Sequence, residues 1–332
     1  MSLGEFDLIQ RYFTRPVRRA ALGVGDDCAL VAPAPGMQLA VSTDMLVEGR
    51  HFVSTVAPRR LGHKALAVNL SDLAACGARP LAYTLAFALP RADAAWLAEL
   101  AAGLHALADR HGIELVGGDT TAGPLNLCIT VFGEVPPGAA LLRSGAHPGD
   151  ELWVSGRTLG DARLALEALR GTVSLAGDSF ERCRHAMEQP QPRVDLGLAL
   201  RGVASAAIDI SDGLLGDLGH VLRRSGAAAR PDALAPAAAL GATIHADALP
   251  RSADLAAQPA ALQLECLLAG GDDYELLFTA APQQAQAVLA AGHASATTVT
   301  RIGRVEAEPG VTVLDGTGRR VATPWASFDH FR

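Results

Sequence analysis

The sequence predicts two α/β or α+β domains joined at a turn-rich break, and three observations carry that expectation. The chain has 332 residues, about twice the length of a usual single domain. Hydrophobic residues make up 49% of it and charged residues 19%, ample for packed cores and too apolar for a disordered chain. Strand-like and helix-like patterns alternate on both sides of Pro136-Pro137-Gly138 and the turn-rich residues 143–150. The domains are accordingly drawn as residues 1–138 and 149–332.

Taken in order, Gly23-Val24-Gly25-Asp26-Asp27-Cys28 is a glycine turn running into an apolar segment. It begins like a dinucleotide fingerprint, but Cys28 stands where the third glycine belongs and no helical pattern follows, so that reading fails. Residues 38–42 read as a strand ending at Thr43-Asp44. Residues 60–76 read as a helix stopped by Gly77 and Pro80. A buried strand follows over 83–89. Residues 93–111 carry the 3.6-residue apolar period of an amphipathic helix and close at Gly112. A strand over 113–116 ends at Gly117-Gly118-Asp119, and another spans 125–135. The second half continues with a strand at 151–155, a helix at 159–170, a strand at 206–210 and a helix at 212–224. A strand at 274–279 and a helix at 282–291 complete it, while the Ala-rich residues 233–242 read as loop or short helix.

Composition excludes several classes. A net charge of −7 disfavours nucleic acid as a partner. No apolar run approaches the ~20 residues of a bilayer span, and the acidic N-terminal residues lack a signal-peptide core, so no membrane is expected. Cys28, Cys76, Cys128, Cys183 and Cys266 are scattered with no C-x-x-C pair, which points to reduced thiols in a cytoplasm. Lys64 is the only lysine and follows His63, so there is no Walker A loop. Protein-kinase catalytic loops and G-x-S-x-G elbows are missing too.

The aspartates are the informative residues. Asp26-Asp27, Asp44, Asp72, Asp119, Asp209, Asp212 and Asp272-Asp273 fall mostly at expected strand ends or helix starts, beside Gly, Ser or Thr. Ligands bind at such ends in α/β domains, and Mg²⁺ takes hard oxygen ligands together with substrate phosphates. Each has a plainer alternative as a helix cap or a turn residue. Asp72 is harder to explain that way, because it interrupts a small, apolar helix with Asn69 three residues before it on one face. Gly117-Gly118 and Gly270-Gly271 precede acids and would let backbone approach a phosphate, or simply make tight turns. Arg143 is a candidate phosphate fork or an exposed linker arginine. His51 is a candidate substrate contact or a structural histidine.

Six ordered motifs make the pattern recognisable. They are Gly23-Val24-Gly25-Asp26-Asp27-Cys28-Ala29, Ser42-Thr43-Asp44-Met45-Leu46-Val47, the helix from Lys64 through Asn69-Leu70-Ser71-Asp72 to Ala74, Gly117-Gly118-Asp119-Thr120-Thr121, Ile208-Asp209-Ile210-Ser211-Asp212-Gly213-Leu214 and Gly270-Gly271-Asp272-Asp273-Tyr274-Glu275-Leu276. Together they resemble the bacterial thiamine-monophosphate kinases, from about Phe6 to Phe328-Asp329-His330-Phe331. The resemblance implies the two-domain aminoimidazole-ribonucleotide-synthetase-like fold, with an N-terminal domain that dimerises through its sheet and a C-terminal α/β domain that completes the site. It implies a phosphotransferase reaction in which ATP and thiamine monophosphate give thiamine diphosphate and ADP, with Mg²⁺ as cofactor and a homodimer as the assembly.

By the same resemblance, Asp27, Ser42, Thr43, Asp44, Asp72, Asp119, Asp209 and Asp212 are ligands of several Mg²⁺ ions, and Asp44, Asp119 and Asp212 are the catalytic acids. Gly118, Asp119, Arg143 and Ser211 are nucleotide contacts, and His51, Asp272 and Trp325 are substrate contacts. The family usually has Glu where Asp272 stands, one methylene longer. Rival readings are another ATP-dependent synthetase of the superfamily and a non-catalytic thiamine-phosphate or nucleotide binding protein. A selenophosphate synthetase would carry a Cys with a nearby Lys in its N-terminal segment, whereas no Cys precedes Cys28 and no Lys precedes Lys64. Loss of metal-site aspartates would mark the binding protein, and none is lost.

Overall fold

The computed structural model describes residues 4–228, 239–325 and 328. Its internal contacts divide the chain into two units, residues 1–73 with 78–138 and residues 74–77 with 139–332. Both units are mixed α/β, as the alternation of patterns predicts.

The first unit contains the short helix α1 (Glu5–Leu8), a π-turn (Ile9–Phe13), β1 (Gln38–Val47), α2 (Pro58–Ala75), β2 (Arg79–Leu89), α3 (Ala94–His111), β3 (Glu114–Ala122) and β4 (Asn126–Val135). Its sheet runs β1-β4-β2-β3. β1 and β2 are antiparallel to β4, and β3 is parallel to β2; α3 makes the crossover that a parallel neighbour requires. Asp93 starts α3 by accepting the N–H groups of Ala95 and Trp96, and Gly112 ends it in the left-handed conformation. Leu97, Leu100, Leu104 and Leu107 form its buried stripe, spaced as a helix face demands. α2 and α3 cross closely at two glycines. A Cβ on Gly62 would lie 2.1 Å from the Leu100 carbonyl oxygen, and one on Gly103 only 1.8 Å from that of Arg59.

Two strands depart from the expected bounds. β1 does not stop at Ser42 but runs to Val47, so Thr43 and Asp44 lie inside it and not at its end. It pairs with β4 along all ten residues, from Gln38 opposite Val135 to Val47 opposite Asn126, and that pairing overrides the poor strand propensity of Asp. β3 likewise runs through Gly117-Gly118-Asp119 to Ala122. There the glycines are not a turn. Gly118 has φ +150, and a Cβ on it would meet the Leu85 carbonyl oxygen at 1.8 Å, so glycine permits β2 and β3 to pair past an irregular register between Tyr83 and Thr84.

The long segment before β1 is tied down by two acids. Glu114 accepts the N–H groups of Arg18, Arg19 and Ala20. Glu134, 6% exposed, accepts from the Arg19 guanidinium at 3.0 Å and from the Ala34 N–H at 2.9 Å. Burial pushes the Glu114 carboxyl up, but the three N–H groups and the Arg19 charge outweigh it and hold the group below the usual range.

The second unit contains β5 (Glu151–Ser155), α4 (Asp161–Leu169), α5 (Gly177–Glu188), α6 (Val194–Ala199), β6 (Ala206–Asp209), α7 (Leu214–Ala228), β7 (Gly241–His245), α8 (Ala253–Ala256), α9 (Ala260–Ala269), β8 (Leu276–Ala280), α10 (Ala285–Ala294), β9 (Val299–Glu306) and β10 (Gly310–Leu314). Its sheet runs β10-β7-β9-β5-β8-β6, antiparallel except for the β10–β7 pair. Leu152, Val154, Ile208, Leu277 and Ile302 from the strands pack in one core with Leu164, Leu218, Leu222 and Leu267 from the helices. The Ala-rich residues 233–242 lie mostly outside the described residues, with 241–242 opening β7. Of the C-terminal motif only Phe328 is described. Among the described residues no helix is long and apolar enough to cross a membrane.

The helix crossing gives a test of sign. Ala has the higher helix propensity by ~1 kcal/mol, yet Gly103→Ala is expected to destabilise by about 1–3 kcal/mol, because its methyl has nowhere to go. Urea melts of the variant check this, and a gain in stability would contradict the close crossing.

Candidate active site

In the first unit, strand and helix periodicities meet. Residues 42 and 44 share one face of β1 while Thr43 points to the other. Asn69 and Asp72 share one face of α2. The Ser42 hydroxyl donates to Asp72 Oδ2 at 2.5 Å, and the Asp44 N–H donates to Asn69 Oδ1 at 3.0 Å. Asn69 is 1% exposed and is itself oriented by donating to the Ala65 carbonyl at 3.0 Å. Ser42, Asp44 and Asp72 are thus brought together on a rigid frame. Thr43 is not with them: its hydroxyl lies 2.8 Å from that of Thr130 on the opposite face.

His51 follows β1 and is held at two points. Its Nδ1 accepts the Val47 N–H at 2.9 Å, which assigns the proton of the neutral ring to Nε2. Its carbonyl accepts from Lys64 Nζ at 3.1 Å. Lys64 is only 2% exposed. Asp27 lies in the exposed turn between Leu22 and Leu30, whose backbones pair, and its N–H donates to Asp26 Oδ1 at 2.8 Å. Asp119 sits on β3, the far edge of the sheet, in the row of Ala86, Cys128 and Met45. Three strand spacings, about 14 Å, separate β3 from β1, so one chain does not bring Asp119 to Asp44.

In the second unit the candidate residues gather around 209–213. Asp209, 4% exposed, ends β6. The N–H groups of Ser211, Asp212 and Gly213 all donate to one oxygen, Asp217 Oδ2, at 3.1, 3.2 and 3.1 Å. Burial and the neighbouring Asp212 charge push the Asp217 carboxyl up to about 7, against the pull of those donors. The following turn is stitched to this one. Asp272 N–H donates to the Ser211 carbonyl at 2.9 Å and Tyr274 N–H to that of Ile210 at 2.8 Å. Asp272 and Tyr274 both have positive φ, 67° and 49°, a strained state for residues with side chains.

Buried acids hold that strained turn in place. Glu275 forms a bidentate pair with Arg193 and accepts from the Ser155 hydroxyl. Asp273 Oδ1 accepts the Gly160 N–H at 2.9 Å, while its Oδ2 is buried with no hydrogen-bond partner. Burial raises the Asp273 carboxyl well above the usual range. The turn that presents the exposed Arg143 is fixed by Ser225, whose hydroxyl accepts the N–H groups of Gly145 and Ala146 at 3.2 and 3.1 Å. Trp325 is partly buried and packs on the core of this unit. Asp217, Glu275 and Arg193 carry no prediction from sequence. An acid in the first turn of a helix, as in a capping box, is the one signal that would have flagged Asp217.

Among the described residues no three His, Cys, Asp or Glu side chains converge as a ready-made metal site. Mg²⁺ does not need one, since it commonly takes one or two carboxylates and completes its shell with waters and phosphates.

Comparison with known proteins identifies the family. The model of the AIR synthase related protein N-terminal domain matches residues 25–135, and that of the C-terminal domain matches 147–316. A thiamine-monophosphate kinase of Salmonella typhimurium is 42% identical over 339 aligned positions, covering 100% of this chain and 99% of the relative. This chain belongs to the thiamine-monophosphate kinase family. The crystal structure of a thiamine-monophosphate kinase from Stenotrophomonas maltophilia superposes with a TM-score of 0.82 at 44% identity, over 94% of this chain and 97% of that one. A structure of AaThiL complexed with AMPPCP and TMP superposes with a TM-score of 0.75 at 29% identity, over 99% and 97%. The six sequence motifs lie within this full-length match, and the structure shows which residues hold them in shape.

Asp273 yields a pH prediction. Its folded-state pKa is raised from an ordinary value of 3.8, so its favourable contribution is whole below that value and is lost as pH rises towards the folded one. Asp273→Asn keeps the acceptor for Gly160 and cannot ionise. Its melting temperature relative to wild type should therefore climb from pH 4 to pH 9. A difference that stays flat over this range would show that Asp273 does not ionise at a cost.

Proposed function

We propose that this chain transfers the γ-phosphoryl group of ATP to thiamine monophosphate, giving thiamine diphosphate and ADP. The observation that carries this reading is the full-length match to thiamine-monophosphate kinases, supported by the related fold whose complex holds AMPPCP and TMP. Asp27, Ser42, Thr43, Asp44, Asp72, Asp119, Asp209 and Asp212 would hold Mg²⁺, Thr43 through its main chain because its hydroxyl faces away. The donor set fits the ion, being hard oxygens throughout, and a carboxylate and a hydroxyl already meet at Ser42 and Asp72. Bound Mg²⁺ supplies charge neutralisation between the two phosphates.

The protein's own residues position and bind. Asp44, Asp119 and Asp212 are the catalytic acids, with Asp44 and Asp119 serving different ions. Gly118, Asp119, Arg143 and Ser211 bind the nucleotide. His51, Asp272 and Trp325 bind thiamine monophosphate, with His51 offering an N–H held by Val47 and Lys64. No general base is required, because the second pKa of a phosphate monoester is about 6 and the acceptor is already ionised at neutral pH. The assembly is a cytoplasmic homodimer formed through the N-terminal sheet. Supporting this, edge strand β1 exposes Leu39, Val41 and Met45 on one face, an apolar row that a second copy would cover. Light scattering showing a fully active monomer would remove the dimer.

Incubation with Mg·ATP and either acceptor tests the reaction: thiamine diphosphate should form from the monophosphate, and free thiamine should react poorly, since its hydroxyl needs a base. Comparable rates on both acceptors would contradict the base-free site. For the metal role, Asp44→Asn should cost ~10²–10³ in rate. The same variant in EDTA should melt no lower than wild type, because it relieves repulsion among carboxylates. Lower stability in EDTA with near-normal turnover would end the ligand assignment.

A further inference from the structure

Every backbone polar group of the Ile210–Gly213 turn has a defined partner. Ile210 N–H donates to the Glu275 carbonyl at 2.8 Å, and the carbonyls of Ile210 and Ser211 accept from Tyr274 and Asp272. The Asp212 carbonyl accepts from Phe328 N–H at 3.1 Å, and that of Gly213 from Asp217 N–H at 3.0 Å. The three remaining donors, on Ser211, Asp212 and Gly213, converge on a single atom, Asp217 Oδ2. Gly213 has φ +121, and a Cβ there would lie 2.9 Å from the Ala269 backbone, so the turn as formed requires glycine at this position.

From this we infer that Asp217 is a positioning residue for phosphoryl transfer: by gathering three consecutive amides inward, its carboxylate sets the direction in which Ser211 and Asp212 present their side chains to the nucleotide and its metal. Asp217, 3% exposed, touches the turn from within the first turn of α7 and is withdrawn from the surface. An ordinary helix cap satisfies one or two N–H groups at the helix start. Asp217 reaches back over three residues, including the two assigned to nucleotide and metal, and so couples the helix to the site. The Asp272 strand of hydrogen bonds runs through the same turn, so a shift of Ser211 is passed on to the thiamine-phosphate side.

This inference rests on the reading of Ser211 and Asp212 as nucleotide and metal contacts. The test compares Asp217→Ala, Asp217→Asn and Asp217→Glu with Ser211→Ala and Asp212→Asn, using full-length protein well below its melting temperature. Initial rates are recorded against ATP, thiamine monophosphate and free Mg²⁺. The alanine variant should lose at least tenfold in kcat/KM for ATP and need several-fold more Mg²⁺ for half-maximal rate. The asparagine variant, which keeps an acceptor oxygen in place, should recover most of both. A melting temperature that falls in Asp217→Ala while the ATP and Mg²⁺ dependences stay at wild-type values overturns the positioning role and leaves a plain cap. Should Asp217→Ala not fold, Asp217→Glu decides, since it keeps the charge but moves the oxygens by one methylene; wild-type kinetics there also overturn the inference. If Ser211→Ala and Asp212→Asn are themselves silent, the reading of the site fails, and the positioning role falls with it.

Discussion

A backbone N–H in a loop needs an acceptor, and at several loops of this chain that acceptor is a carboxylate. Glu114 and Glu134 fasten the segment that leads through the Asp26-Asp27 turn into β1. Asp217 shapes the Ser211–Gly213 turn, and Asp273 reaches across to Gly160. Each such bond contributes about 1 kcal/mol net, and where the donor is buried, leaving it without its partner costs more, about 1–3 kcal/mol. The arrangement of the loops is therefore set less by their own propensities than by acids lying elsewhere in sequence.

The acids consequently divide into two populations with opposite electrostatics. One consists of carboxyls whose charge is matched by donors, such as Glu114 and the Arg193-paired Glu275. The other consists of buried carboxyls whose ionisation is disfavoured, Asp273 above all. Proximity of an aspartate to a phosphate-binding motif is thus insufficient to make it a ligand; Asp272 and Asp273 are neighbours in sequence, yet Asp273 gives its Oδ1 to the Gly160 N–H and buries its Oδ2 without a hydrogen-bond partner.

Much of this was legible in sequence. The α3 helix, with its Asp93 start and Gly112 end, follows from local rules alone, and the Asn69–Asp72 face of α2 was visible as a polar interruption of an apolar helix. What failed was strand length. Asp44 and Gly117-Gly118 look like terminators to a propensity argument, yet β1 and β3 run through them, because pairing with β4 and β2 decides and glycine there serves close approach. Asp217 escaped notice for a different reason. Its role is defined by three amides whose convergence exists only once the turn before α7 is formed, and no spacing rule encodes that.

The sole lysine lies buried with its ammonium on the His51 carbonyl, and this shapes how the molecule meets reactive chemistry. Every positive charge that the described surface presents belongs to a guanidinium or an imidazole. Reagents that acylate or cross-link lysine amines should find Lys64 sheltered in the folded chain, and so should enzymes that acetylate or ubiquitinate lysine. Incorporation of lysine labelled at Cε would place a single spectroscopic probe in the protein, next to the loop that carries His51. A protein that performs anion chemistry with arginines outside and one sheltered ammonium inside is, in effect, pre-labelled at its own candidate site.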